Sequence, residues 1–200
     1  MLYGVPYTNA WKMATRNGKT LLTRDDWARA ALEAIAQGGV RALTIEDLAE
    51  RVGASRGSFY WHFETREDLI AAALELWEAE STTDRLPELE AIEDPLKRLR
   101  TLLRAVYEAP VDAAELMLST AGDDPLVAPV FARVVARRMK VLRRIFTELG
   151  MPRAEAVDRA WLAYSFYVGH HQLRNNPEIA ALEPRHLERM VGLLTAGRNQ

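Results

Sequence analysis

From residue 23 onward the apolar positions of this chain recur every three or four residues, the period of an amphipathic helix. Trp27, Ala31, Ala34 and Ile35 fall on one face of a helix predicted from Thr23 to Gln37, closed by Gly38-Gly39. A second helix is predicted from Thr44 to Val52 and a short third from Arg56 to His62. A fourth runs from Thr65 to Glu80 with Leu69, Ala73, Leu76 and Trp77 in phase. Three of these starts carry Thr followed by Asp three residues later, at Thr23/Asp26, Thr44/Asp47 and Thr65/Asp68, a variant of the capping box that also sets an acid at the positive helix end. Between Ser81 and Asp94 the period is lost and the composition turns acidic, which predicts a connection between domains. Asp94-Pro95 restarts a helix with Leu96, Leu99, Leu103 and Val106 on one face, ended by Pro110. A short segment over Val111 to Ala121, a long helix from Asp124 to Gly150, another from Pro152 to Arg174 and a last from Pro184 to Ala196 follow. No run alternates as a strand does, so the prediction is an all-α chain. It has three parts: a flexible arm over 1–22, a small helical unit over 23–80, and a larger helical bundle over 81–200.

Composition narrows the classes without choosing among them. The chain is 48% hydrophobic and 27% charged with a net charge of −2, which is ordinary for a packed, water-facing protein and gives no global sign of a polyanionic partner. With no cysteine, a disulfide framework, a thiolate metal site and a cysteine nucleophile are all excluded. No apolar run approaches the length of a membrane span, and the N-terminus does not read as a secretory signal, so the expected location is the cytoplasm. Met13 is a candidate natural start that would make residues 1–12 an upstream extension. Phosphate-loop glycines, metal-ligand spacings and a nucleophile elbow are missing, so the expectation is a protein that is not an enzyme and carries no cofactor or metal.

Local charge is more informative. Residues 1–24 hold Lys12, Arg16, Lys19 and Arg24 and no acid, and Arg51 to Phe63 also contains none although both flanks are acidic. Within Thr44 to Phe63 the residues fit a helix-turn-helix. Ala49 is small enough for a helix crossing, Gly53 can take a left-handed turn, and Leu48, Val52, Ala54 and Phe59 supply an inner face. Ser55 is placed to cap the second helix. With Phe59 inward, Arg56, Gly57, Ser58, Tyr60, Trp61 and His62 face outward or flank. An exposed Tyr-Trp pair on two turns of helix is a poor surface unless a partner covers it.

Thr44 to Phe63, and above all FYWHF followed by a capped helix, resembles the DNA-binding region of the tetracycline-repressor (TetR) family of transcriptional regulators over roughly Thr23 to Glu80. The resemblance implies that the second helix enters the major groove of double-stranded DNA. Arg56 and Ser58 are then the base-reading candidates, Gly57 permits close approach, and Tyr60, Trp61 and His62 anchor the sugar-phosphate backbone. Thr44, Ser55 and Arg66 sit at helix starts facing that backbone. It also implies a homodimer through the last two helices, so that two heads reach one palindromic operator. A small, largely apolar effector would release a repressor of this kind. A regulator whose bundle only dimerises or binds a protein, and an activator, are the alternatives.

In the bundle, the helix from Pro152 carries apolar residues on more than one face, which suits burial against a second subunit. Leu187, Met190, Val191 and Leu194 form a stripe that could join it. The expected ligand-lining residues are Tyr107, Met117, Phe131, Met139, Trp161, Tyr164, Tyr167 and His170, aromatic or sulfur-bearing side chains after Trp77 with one polar group among them. Arg133, Arg137, Lys140 and Arg144 share one face of the helix from Asp124, which reads as a solvated face balanced by the acids from Glu88 to Asp94.

Overall fold

The computed structural model describes residues 14–16, 19–108, 111–174, 176, 178 and 183–197. Most of the basic arm, including residues 1–13, therefore lies outside the described residues. The part that is described corrects the sequence reading. Strands β1 (Ala14–Arg16) and β2 (Lys19–Leu21) pair antiparallel, Thr15 opposite Thr20. The sequence signal for them is Asn17-Gly18, the dipeptide most favoured between hairpin strands. Strands this short show no alternation.

Ten α-helices make up the rest of the described chain: α1 (Arg24–Gly38), α2 (Ile45–Arg51), α3 (Arg56–Tyr60), α4 (Arg66–Ser81), α5 (Leu86–Glu90), α6 (Pro95–Glu108), α7 (Ala113–Ser119), α8 (Val127–Glu148), α9 (Arg153–Arg174) and α10 (Pro184–Thr195). The starts follow the capping chemistry. Thr23 and Asp26 bond reciprocally ahead of α1. Thr44 accepts from the Asp47 amide ahead of α2, and Ser55 from the Ser58 amide ahead of α3. The span from Ser81 to Asp94, expected as a plain connection, instead holds a 3-10 turn (Thr83–Arg85) and α5. Five residues are too few to show a helical period.

Packing divides the described residues into two compact units, one within 14–80 and 112–132, the other within 81–108, 111 and 133–197. Residues 112–132 thus group with the N-terminal helices. In that unit α7 lies on α1, the Trp77 indole donates to Asp112 at 3.2 Å, and Phe131 stacks on Trp77 with centroids 5.9 Å apart. The core of this unit holds Trp27, Leu32, Ile35, Leu48, Phe59, Leu69, Ile70, Leu74 and Trp77, all fully buried. The second unit packs α6, α8, α9 and α10 around Leu99, Leu103, Leu142, Ile145, Phe146, Ala160 and Val191.

Candidate nucleic-acid interface and ligand cavity

The turn between α2 and α3 is set by backbone geometry. Gly53 has φ +66, its amide bonds Glu50 O, and the Ala54 amide bonds Ala49 O, the two hydrogen bonds of a Schellman ending. Only glycine takes that φ without strain. Ala49 is buried, and Phe59 locks α3 inward through edge contact with Trp27 (5.7 Å) and stacking on Phe63 (5.7 Å). With Phe59 fixed, the pitch of α3 decides what is left outside. Tyr60 is 54% and Trp61 87% exposed, so Trp61 is not packed on the following helix. Arg56 and Gly57 are exposed and Ser58 is half-buried. Arg56 is held by an ion pair with Glu46 on α2, Nη1 to Oε1 2.9 Å.

Two of the other expected residues, Thr44 and Arg66, make bonds within the fold. The Thr44 hydroxyl caps α2 and donates to Asp47 at 2.7 Å. The Arg66 guanidinium, expected at the DNA backbone, donates to Leu43 O at 2.7 Å and Val40 O at 2.5 Å. It clasps the start of α4 to the segment before α2, because carbonyls left over at a helix approach need donors. His62 is half-buried and borders a polar groove with Arg24, Glu64, Asp68 and Glu75, away from the acid-free side of α3.

The second unit contains a cavity lined by Leu86, Leu89, Leu102, Leu103, Val106, Val141, Leu142 and Ala163, with Ser81, Thr82, Arg138, Tyr164 and Tyr167 supplying its polar atoms. It spans about 610 Å³ counted with its mouth, and Arg138 is part of its polar lining. Its Nε donates to Thr82 Oγ1 at 3.0 Å, and its guanidinium lies over the Tyr167 ring at 5.5 Å. Of the eight residues expected to line a pocket, Tyr164 and Tyr167 do so. Met117 and Phe131 belong to the N-terminal unit, Met117 near Gly39 and Phe131 on Trp77. Met139 is core, and Trp161 is 55% exposed on α9. The aliphatic residues missed by the sequence reading come from α5 (Leu86, Leu89), α6 (Leu102, Leu103, Val106) and α8 (Val141, Leu142), and periodicity cannot tell them from plain core.

Half-buried Tyr107 and buried His170 form a cluster outside the cavity lining. Their rings stack at 4.4 Å, with Phe166 against both. Burial holds the His170 imidazole down to about 4, helped by His171 and Arg174 and opposed by a backbone hydrogen bond at Tyr107. Burial also pushes the Tyr107 phenol up to about 12. Neither Tyr107 Oη nor His170 Nε2 has a hydrogen-bond partner among the described residues. On the outer side of α9, Leu162, Val168 and Leu173 are exposed together with Trp161. The α10 stripe expected at an interface turns inward instead: Leu187, Val191 and Leu194 are buried, and Leu193 is the exposed apolar residue of that helix.

Residues 28–73 match the family model described as bacterial regulatory proteins, tetR family. The chain is 39% identical over 86 residues to the HTH-type transcriptional regulator TtgR of Pseudomonas putida, a stretch covering 42% of this chain and 41% of that protein. The chain thus aligns with about two fifths of that relative's length. Among solved structures, a TetR transcriptional regulator from Legionella pneumophila superposes with TM-score 0.71 at 14% identity, covering 89% of this chain and 98% of that one. AibR, solved in complex with isovaleryl coenzyme A and operator DNA, superposes with TM-score 0.66 at 17% identity over 86% and 97%. At these identities the structures establish a common fold.

Proposed function

Starting from a chain that belongs to the tetR family of bacterial regulatory proteins through its helix-turn-helix region, we propose that it is a dimeric transcriptional repressor that reads a palindromic operator and is released by a small, largely apolar effector. The family is one of regulators rather than enzymes. The observation that carries the reading is the outer side of α3. An 87% exposed Trp61 beside Tyr60 and Arg56, in a stretch without a single acid, makes no sense to the fold and suits a polyanion. Arg56 at the first position of α3 is the base reader, Ser58 its neighbour, and Tyr60 and Trp61 hold sugar and phosphate.

The exposed apolar side of α9, with Leu193 of α10, suits a second copy of the chain. Pairing sets two α3 helices about 34–36 Å apart, one turn of DNA. The cavity takes the effector. Ser81 and Thr82, at the end of α4, line it and so connect occupancy with the helix that follows the reading head. A coupling of this kind is typically worth about 1–3 kcal/mol. No helix among the described residues is long and apolar enough to cross a membrane.

Selection of bound duplexes from a random pool tests the reading. A short palindrome should be enriched, and Arg56→Ala should weaken it by about 1–3 kcal/mol at one base pair per half-site. A uniform loss on every sequence reduces Arg56 to a phosphate contact. Failure to enrich any duplex removes the proposal.

A further inference from the structure

A second depression lies alongside the cavity, on the other side of two of its wall residues. Leu86 of α5 and Val141 of α8 line both. The cavity is aliphatic. The groove is basic: Arg137, Lys140, Arg143 and Arg144 line it against the single carboxylate of Glu90. Arg144 is neutralised by Glu90 at 2.6 Å and Glu148 at 3.7 Å, in keeping with the acid-balanced face that the sequence suggests. Lys140 and Arg143 are not: among the described residues neither has a carboxylate within ion-pair distance. Like charges three and four residues apart on one helix repel. A row of cations in which Lys140 and Arg143 have no carboxylate partner therefore gains from a multiply charged anion. Guanidinium groups match phosphate oxygens two at a time.

We infer that the effector is an amphipathic anion, an apolar chain in the aliphatic cavity joined to a multiply charged phosphate head in the α5–α8 groove, with the junction running past Leu86 and Val141. This rests on the effector reading of the cavity. The aliphatic walls suit an alkyl chain, and Arg138, among the polar lining, is bonded to Thr82 and faces Tyr167. The wall between cavity and groove is formed by Leu86 of the five-residue α5 and Val141 of α8.

Calorimetric titration of the full-length protein with octanol, octanoate, coenzyme A and octanoyl coenzyme A tests this, repeated with the Lys140→Gln/Arg143→Gln double variant. Both positions are exposed, so the variant should keep its fold, which circular dichroism checks. Octanoyl coenzyme A should bind about tenfold more tightly than octanoate, the sum of a few exposed ion pairs. That advantage should shrink with added salt and vanish in the double variant, with octanoate unaffected. Equal affinity for octanoate and octanoyl coenzyme A, or an advantage that survives the double substitution, overturns the inference and leaves the cavity reading in place. If octanol, octanoate and octanoyl coenzyme A all fail to bind, the cavity reading falls and the inference with it.

Discussion

Gly57 shows how a single position separates the needs of the fold from those of the partner. It sits inside α3 at ordinary helical φ, and a Cβ built on it would meet only Ser55 Oγ at 3.6 Å, an ordinary contact. Glycine in a helix costs about 0.5–1 kcal/mol relative to alanine, so the fold itself would prefer a side chain here. On the proposed reading, the missing methyl leaves room on the face turned to DNA. Gly57→Ala is expected to raise unfolding stability in urea by that amount and to weaken operator binding at the same time. Unchanged operator affinity would mean that α3 does not approach the groove edge so closely. Gly53 is the opposite case, since its φ of +66 is demanded by the turn and any other residue there strains the chain. Arg66 likewise serves the fold, its guanidinium occupied by two carbonyls.

At the scale of elements, two side chains decide how the second unit holds together. Arg98 of α6 is buried. It donates to Ile92 O through Nε and Nη2 at 2.8 and 2.6 Å and pairs with Glu148 of α8 at 2.5 Å. It thereby ties the segment after α5, and so one wall of the cavity, to α8. Arg98→Met keeps the apolar stem and leaves these acceptors without their donor, an expected loss of about 2–3 kcal/mol in chemical denaturation. A loss below half a kcal/mol would show that water replaces the guanidinium freely. His170 on α9 gives a pH signature. Unfolded, it titrates near 6.5, and in the fold near 4. Between those values the unfolded chain takes up a proton that the folded chain refuses. Stability must therefore fall as pH drops from about 6.5 to about 4, with a slope of up to ~1.4 kcal/mol per pH unit. His170→Phe keeps the stack on Tyr107 and Phe166, and should flatten the difference between urea midpoints at pH 7 and pH 5. An unaltered pH profile would place the titrating group elsewhere.

For the whole molecule the question is what α9 faces. Trp161, Leu162, Val168 and Leu173 are between 44% and 59% exposed, along a helix whose other side carries Ala156, Ala160, Ala163 and Tyr164 into the core. On the proposed dimer reading this apolar surface, extended by Leu193 of α10, is the interface, and a closed two-fold pair is the simplest arrangement that covers it. Leu162→Asp with Leu173→Asp should shift sedimentation from dimer to monomer without unfolding the chain. It should also reduce operator affinity far more than affinity for a single half-site, because the two heads are then no longer joined. A double variant that sediments as a dimer would put the interface elsewhere.

How much of this was legible beforehand depends on the range of the forces involved. Capping, turn chemistry and helical period act within a few residues, and the starts at Thr23, Thr44, Ser55 and Asp94, the turn at Gly53 and the inward Phe59 all follow from sequence neighbours. The β1–β2 pair and α5 escaped because three or five residues carry no period. Of the residues that line the cavity, Tyr164 and Tyr167 were legible and the aliphatic ones were not. An aliphatic stripe at helical spacing has the same pattern whether it meets a neighbour or a void, and aromatic side chains such as Phe131 or Trp161 draw attention without saying what covers them. Which unit 112–132 joins, which carbonyls Arg66 reaches, and that the apolar cavity shares Leu86 and Val141 with a basic groove are decided by contacts between residues far apart in the chain. The sequence by itself determined the reading head, because a helix-turn-helix is local. Only the tertiary structure decided the cavity and the groove beside it, because an empty space is defined by all of its walls at once.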